Sequence, residues 1–222
     1  MRNDTDHNVS RLGSASGTAV AVLGLSYVCV LLVGLLTLPS PDDEIQQPWF
    51  TLMEILIIAI APTMVVLTVA VHARSPEGRK SFALTSVVFM SMAAATTSVV
   101  HFTILTVSHQ AAFASARWNY LVFAFKWPSI SYALDILAWD VFFPIAALFT
   151  AAAVQGHGLV RLVRILLIAS AAFSFIGLVG VPLANMQVRN IGIIGYAILF
   201  PIAAGILAKI MAAAESTERP GS

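Results

Sequence analysis

Long apolar stretches separated by short polar segments dominate the pattern of this chain. A helix needs about 20 mostly apolar residues to cross the hydrocarbon core of a bilayer. Six stretches are long enough, and the breaks between most of them allow only tight hairpins, so successive helices should be antiparallel neighbours. We therefore predict an all-α membrane protein built as a bundle of six transmembrane helices. The predicted spans are Thr18–Leu38, Trp49–Ala73, Ser81–Ser108, Ser129–Val154, Leu162–Ala184 and Ile191–Ala213.

Composition supports a membrane location. Hydrophobic types make up 59% of the 222 residues and charged types only 10%, whereas a soluble domain carries roughly a quarter charged residues. The net charge of +1 comes without a clustered basic face, so we expect no nucleic-acid partner. The expected partners are membrane lipids, with a second copy of the chain or another membrane subunit as further possibilities.

Basic residues indicate the orientation of the bundle. With the N-terminus in the cytoplasm, nine of the twelve Lys and Arg residues fall in cytoplasmic segments, as the positive-inside rule requires. We predict that both termini are cytoplasmic (N-in, C-in). The chain then divides into a polar N-terminal segment (1–17), a six-span domain (18–213) and a polar tail (214–222).

The connection His109–Pro128 differs from the other breaks because it is long and rich in Trp, Tyr and Phe. Such residues favour the headgroup level of a membrane. We interpret the connection as an interfacial segment on the outer leaflet. The alternative is a lid over an outward-facing pocket.

A short repeat links the fourth and sixth spans. Phe143-Pro144-Ile145-Ala146-Ala147 recurs as Phe200-Pro201-Ile202-Ala203-Ala204, through either duplication or chance. Pro62 lies at a similar place in the second span. Each proline lacks an N–H and frees a carbonyl one turn earlier, so we predict kinks at all three.

Four ionisable residues lie inside predicted spans: Glu54, His101, Asp135 and Asp140. Such groups are costly in a bilayer and usually face the bundle interior, where they pair. We predict a polar pocket in the outer half of the bundle that binds a ligand through these four residues and Trp139. The alternative is a buried hydrogen-bonded network that only fixes helix register.

Within this set, His101 and Asp140 are the strongest candidates for direct chemistry, because their side chains should lean toward a common level. Asp135 and Asp140 are about 140° apart on an α-helix and should not reach the same partner. The third span carries many Ser, Thr and Ala residues, which favours a central position in the bundle.

The motifs of common enzymes are missing from the sequence. No helix carries paired histidines at metal-binding spacing, and neither a nucleophile elbow nor a phosphate loop occurs. We predict no metal site and no cofactor. The leading hypothesis is a non-catalytic membrane protein that binds a lipid or small ligand. The alternatives are an intramembrane acid–base enzyme acting on a lipid-soluble substrate, with His101 and Asp140 as its catalytic pair, and a small proton-coupled transporter.

The C-terminal half resembles uncharacterised bacterial six-span integral membrane proteins. The resemblance implies a location in the bacterial cytoplasmic membrane and no particular activity. Within it, the pair Arg189-Asn190 suggests either a site for lipid phosphate or a charged loop with a helix cap. The resemblance rests on Ala138-Trp139-Asp140-Val141-Phe142-Phe143, Arg161 with Arg164, Arg189-Asn190-Ile191-Gly192, Gly195-Tyr196 and Phe200-Pro201.

Overall fold

The computed structural model describes residues 2–40, 43–113 and 115–218. Parts of several predicted features lie outside these ranges: Met1 of the N-terminal segment, Pro41 and Asp42 of the first loop, Ala114 of the long connection, and residues 219–222 of the tail.

In the described part of the chain, six helices are long and apolar enough to cross a membrane, as the sequence predicted. This supports a multi-pass membrane protein. The fourth and sixth helices each include a π-helical segment. The helices are α1 (Arg2–Leu36), α2 (Trp49–Arg74), α3 (Lys80–Val107), α4 (Ile130–Ala153), α5 (Leu159–Leu178) and α6 (residues 186–218).

Helix α1 begins well before the predicted start of the first span, because its polar segment packs against the bundle. Ser10 is fully buried and accepts a hydrogen bond from Arg74 at the end of α2. Gly13 lies against Met211 and Ala70, where any larger side chain would collide with the Met211 thioether. The polar segment is therefore a continuation of the first helix.

The six helices form a closed ring in which each packs on its neighbours in sequence and α6 returns to α1. Contacts between the start of one helix and the end of the next show antiparallel packing, as predicted: Ser10 of α1 meets Arg74 of α2, and Ser86 of α3 meets Thr150 of α4. Helices α1 and α6 are also antiparallel, since Gly13 lies against Met211 and Gly24 against Pro201. The start of α1, the end of α6 and the turns 75–79 and 154–158 lie at one end of the ring, here called the terminal end. The connections 37–48, 108–129 and 179–190 lie at the other, the aromatic end.

The two repeated Phe-Pro segments occupy the same local structure. A π-helical stretch precedes each of them, Leu137–Phe142 in α4 and Ile194–Leu199 in α6. The N–H of Phe143 bonds the carbonyl of Ala138, and the N–H of Phe200 that of Gly195. Ser170 on α5 also donates to the Gly195 carbonyl at 2.8 Å. The helix is therefore widened just where proline removes a donor, whereas α2 stays α-helical through Pro62.

The prediction that the third span is central is wrong. Of the most apolar window of α4, 61% is buried, against 33% for α3. Two α3 hydroxyls do bond across to α4, since Ser86 donates to the Ala146 carbonyl and Thr97 accepts from Trp139. Others satisfy their own helix, as Ser91 does by donating to Val87. The number of Ser and Thr residues in a span therefore does not indicate whether that span is central in the bundle.

Candidate ligand-binding site

Five ionisable side chains from four helices contact one another inside the ring. His101 of α3 lies between two carboxylates, with Nδ1 2.8 Å from Glu54 Oε2 and Nε2 3.4 Å from Asp135 Oδ1. Arg189 of α6 donates to both aspartates of α4, from Nη2 to Asp135 Oδ2 at 3.0 Å and from Nε to Asp140 Oδ2 at 3.2 Å. All five are buried. They form one connected charged network.

The contacts in this network are unequal. The contacts of Arg189 have hydrogen-bond geometry. The nitrogen atoms of His101 lie close to Glu54 and Asp135 but do not have hydrogen-bond geometry. One oxygen on each carboxylate, including Oδ1 of Asp140, therefore has no hydrogen-bond donor. The network therefore contains more carboxylate oxygens than hydrogen bonds to satisfy them.

The π-helical segment of α4 explains how Asp135 and Asp140 reach the same partner. The expectation that they could not do so assumed an α-helix throughout and is wrong. In a π-helix the bonded residues are five apart, so residues five apart lie nearly above one another. Asp140 lies within the stretch Leu137–Phe142, which turns it to the side of Asp135 that faces Arg189.

Glycines on α5 and α6 make room for the network. A Cβ at Gly192 would lie 2.5 Å from the free Oδ1 of Asp140. A Cβ at Gly177 of α5 would lie 2.7 Å from the carbonyl oxygen of Arg189. The backbones of α5 and α6 thus approach closely where Arg189 enters the bundle, and the side chain of Asp140 fills the space beside Gly192.

Arg189 is the residue of this network that the sequence analysis missed. The sequence analysis placed it in a loop, as a lipid-phosphate ligand or beside a helix cap, and the loop placement is wrong because Arg189 belongs to α6. The cap is Asn185, whose side chain accepts from the N–H groups of Gln187 and Val188. Arg189 is 3% exposed and points into the bundle. Its position in a predicted loop gave no indication that it enters the bundle. The three acids without partners inside the predicted spans did indicate that a cation was missing.

Aromatic rings surround the guanidinium. Its Cζ lies 4.9 Å from the ring centre of Tyr132 and 6.0 Å from that of Tyr196. Trp139 lies 5.0 Å from Tyr196, centre to centre, and donates from Nε1 to Thr97 at 3.1 Å. The two tyrosine rings therefore pack against Arg189, and Trp139 extends this aromatic group.

A cavity of about 370 Å³ opens beside the network at the aromatic end. Its volume falls in the usual range for small-molecule sites, roughly 300–1,000 Å³. Along α2 its wall runs from Phe50 to Met64, about 21 Å at 1.5 Å per residue. Most of the wall is apolar, and Asp135 and Arg189 provide a charged patch on one side.

The predicted site residues divide into two groups around this cavity. Asp135 and Trp139 line it. Glu54, His101 and Asp140 are in the network behind the wall, with His101 fully buried. Asp140 and His101 are connected through Asp135 and Arg189. The structure thus contains both a network and a pocket, which the sequence analysis had treated as alternatives.

The connection between α3 and α4 contributes to the cavity mouth. Phe125, Lys126 and Trp127 line the cavity, and the Phe125 ring lies 5.7 Å from that of His101. Trp118 and Tyr120, earlier in the connection, are about half exposed. The connection therefore has one part over the cavity and one part directed away from the bundle.

The network itself is poorly suited to hold a metal ion. Arg189 occupies the place between Asp135 and Asp140 where a cation would bind. Among the described residues, no group of three His, Cys, Asp or Glu side chains has the arrangement of a metal site. The chemistry available at the cavity wall is hydrogen bonding, charge and aromatic contact.

Comparison of the chain with models of known protein families, with curated proteins and with solved structures gave no significant match.

Proposed function

We propose that this protein binds an amphipathic small molecule in the cavity at the aromatic end of the bundle. The observation that carries the proposal is that a long apolar cavity reaches a buried charged pair, Asp135 and Arg189. An apolar chain would occupy the wall formed by α1, α2 and α6. A polar head would lie against the charged patch.

This geometry favours binding over catalysis. A general acid or base has to come within hydrogen-bond reach of its substrate, but His101 is fully buried and Asp140 lies beside Gly192 behind the cavity wall. Asp135, which does line the cavity, is held by Arg189.

We further propose that the protein lies in the cytoplasmic membrane of a bacterium. Both termini would be in the cytoplasm, and the cavity would open to the outer face.

A cavity-filling variant tests the proposal. Ile57 lines the cavity and is 7% exposed, whereas Ile55 on the same helix is 51% exposed and faces outward. We expect native mass spectrometry of the wild-type protein from its own membrane to show a bound small molecule. The I57W variant should lose it, and the matched I55W variant should keep it.

Retention of the same adduct by the I57W variant, with folding intact, would place the molecule elsewhere and overturn the proposal. A wild-type protein free of any adduct, and not stabilised by added amphiphiles, would overturn it as well.

A further inference from the structure

The charges around the cavity indicate which head group it accepts. Asp43, Glu44 and Asp135 line it, against Lys126 and Arg189. Glu54 and Asp140 add two carboxylates directly behind the wall. In total, five carboxyl groups stand against two basic side chains and His101. Acidic groups are therefore in excess around the cavity, which disfavours an anionic head group and favours a cationic one.

The guanidinium does not compensate for this excess. Its Nε and Nη2 atoms already donate to Asp140 and Asp135, so its charge is matched within the network. Asp135 is 3% exposed and lines the cavity; its Oδ2 accepts from Arg189, and its Oδ1 is buried 3.4 Å from Nε2 of His101. A carboxylate held at a cavity wall attracts an ammonium group through its charge.

The aromatic lining matches the same chemistry. Tyr27, Tyr132, Trp139 and Tyr196 line the cavity together with Asp135 and Arg189. The faces of Tyr132 and Tyr196 already lie near one cation, the guanidinium. Rings of this kind also recognise quaternary ammonium groups. Tyr27 and Trp139 add two further aromatic rings to the lining.

From the excess of acidic groups, the carboxylate of Asp135 at the wall and the aromatic lining together, we propose that the cavity is selective for amphipathic organic cations, with an ammonium head near Asp135 and an apolar chain along α1 and α2. This inference rests on the proposed function and specifies its ligand class. A neutral amphiphile and an anionic one are the competing occupants.

A competition assay distinguishes the cationic, neutral and anionic amphiphiles. The protein in phosphatidylcholine nanodiscs would bind tritiated decyltrimethylammonium, with empty nanodiscs as the background for membrane partitioning. Unlabelled decyltrimethylammonium, decanol and decanoate share the chain length and differ in head charge. We expect the cation to compete at a concentration at least about tenfold lower than decanol, corresponding to about 1.4 kcal/mol, and decanoate to compete least.

Two variants locate the selectivity. D135N should weaken binding of the cation about tenfold and leave competition by decanol nearly unchanged. Y27L keeps a large apolar side chain on α1, the helix with the lowest buried fraction, and should weaken the cation alone by removing a ring face. Because Tyr27 is outside the charged network, Y27L still tests the inference if D135N fails to fold.

Equal competition by decanol and the cation, or stronger competition by decanoate, would overturn the cation preference while leaving the cavity as a binding site. Binding of the cation no greater than to empty nanodiscs would also overturn it. In that case the mass-spectrometric comparison of I57W with I55W decides the proposed function separately.

Discussion

Removal of the Arg189 side chain tests the role of the charged network in stability. Arg189 makes two charge-assisted hydrogen bonds, at 3.0 and 3.2 Å, to carboxylates that are 3% and 0% exposed. Each such bond contributes about 1.5–3 kcal/mol, and breaking a buried ion pair from one side costs about 3–5 kcal/mol. We therefore expect R189M to lower the free energy of unfolding by about 3–5 kcal/mol.

The assay is equilibrium unfolding in mixed micelles of detergent and sodium dodecyl sulfate, followed by circular dichroism. R117M is the matched control, since Arg117 is exposed in the connection between α3 and α4, and it should change stability little. R189K keeps the charge but cannot bridge both aspartates with a planar fork, so its loss should be smaller than that of R189M.

The same reasoning predicts a rescue. The triple variant R189M/D135N/D140N removes the cation together with the charges it neutralises, and replacing a whole buried ionic group is often close to neutral. It should recover most of the stability lost in R189M. A loss in R189M of less than about 1 kcal/mol, or a triple variant no more stable than R189M, would refute the assignment of Arg189 as the charge that compensates the two aspartates.

Two further predictions follow from the packing and from the distribution of basic residues. G192A should destabilise the protein by about 1–3 kcal/mol, because the new methyl would lie 2.5 Å from Asp140 Oδ1. The control G78A adds a methyl that meets nothing within 4 Å and should leave the melting temperature unchanged. Equal effects of the two variants would contradict the close packing at Gly192. In a cysteine-free background, S115C should react with an impermeant maleimide from outside intact cells and H157C only after lysis; the reverse pattern would invert the predicted topology.

The number and approximate positions of the six helices could be predicted from the sequence because both follow from a simple energetic requirement. A bilayer-spanning segment must be apolar over about 20 residues and must satisfy its own backbone. The same requirement made Glu54, His101, Asp135 and Asp140 stand out as groups that need partners. All four belong to one buried network in the structure.

The geometry of that network could not be predicted, for two physical reasons. The π-helical stretch Leu137–Phe142 changes which residues of α4 share a face, and an apolar sequence with one proline does not reveal a change of helix type. Arg189 is near the end of its helix, where a sequence pattern gives no depth or direction. Its inward direction is seen only in the structure, from its hydrogen bonds to Asp135 and Asp140.

The cavity was likewise only partly foreseen. Its lining combines residues from α1, α2, α4 and α6 with the long connection, and no local pattern specifies how such distant segments meet. Trp139 was included in the predicted site as a neighbour of the aspartates, and it lines the cavity. Tyr27 carried no comparable signal, because a single tyrosine in an apolar helix is usual.

Photo-crosslinking tests the central claim, that the cavity holds an amphiphile, most directly. Two probes of equal chain length, one with an ammonium head and one with a hydroxyl head, would each carry a diazirine on the chain, and labelled peptides would be mapped by mass spectrometry. The account predicts adducts at cavity residues such as Leu31, Ile57 and Ile193, suppressed by excess unlabelled amphiphile. Adducts confined to outward-facing positions such as Leu25 and Ile55, from both probes, would contradict it.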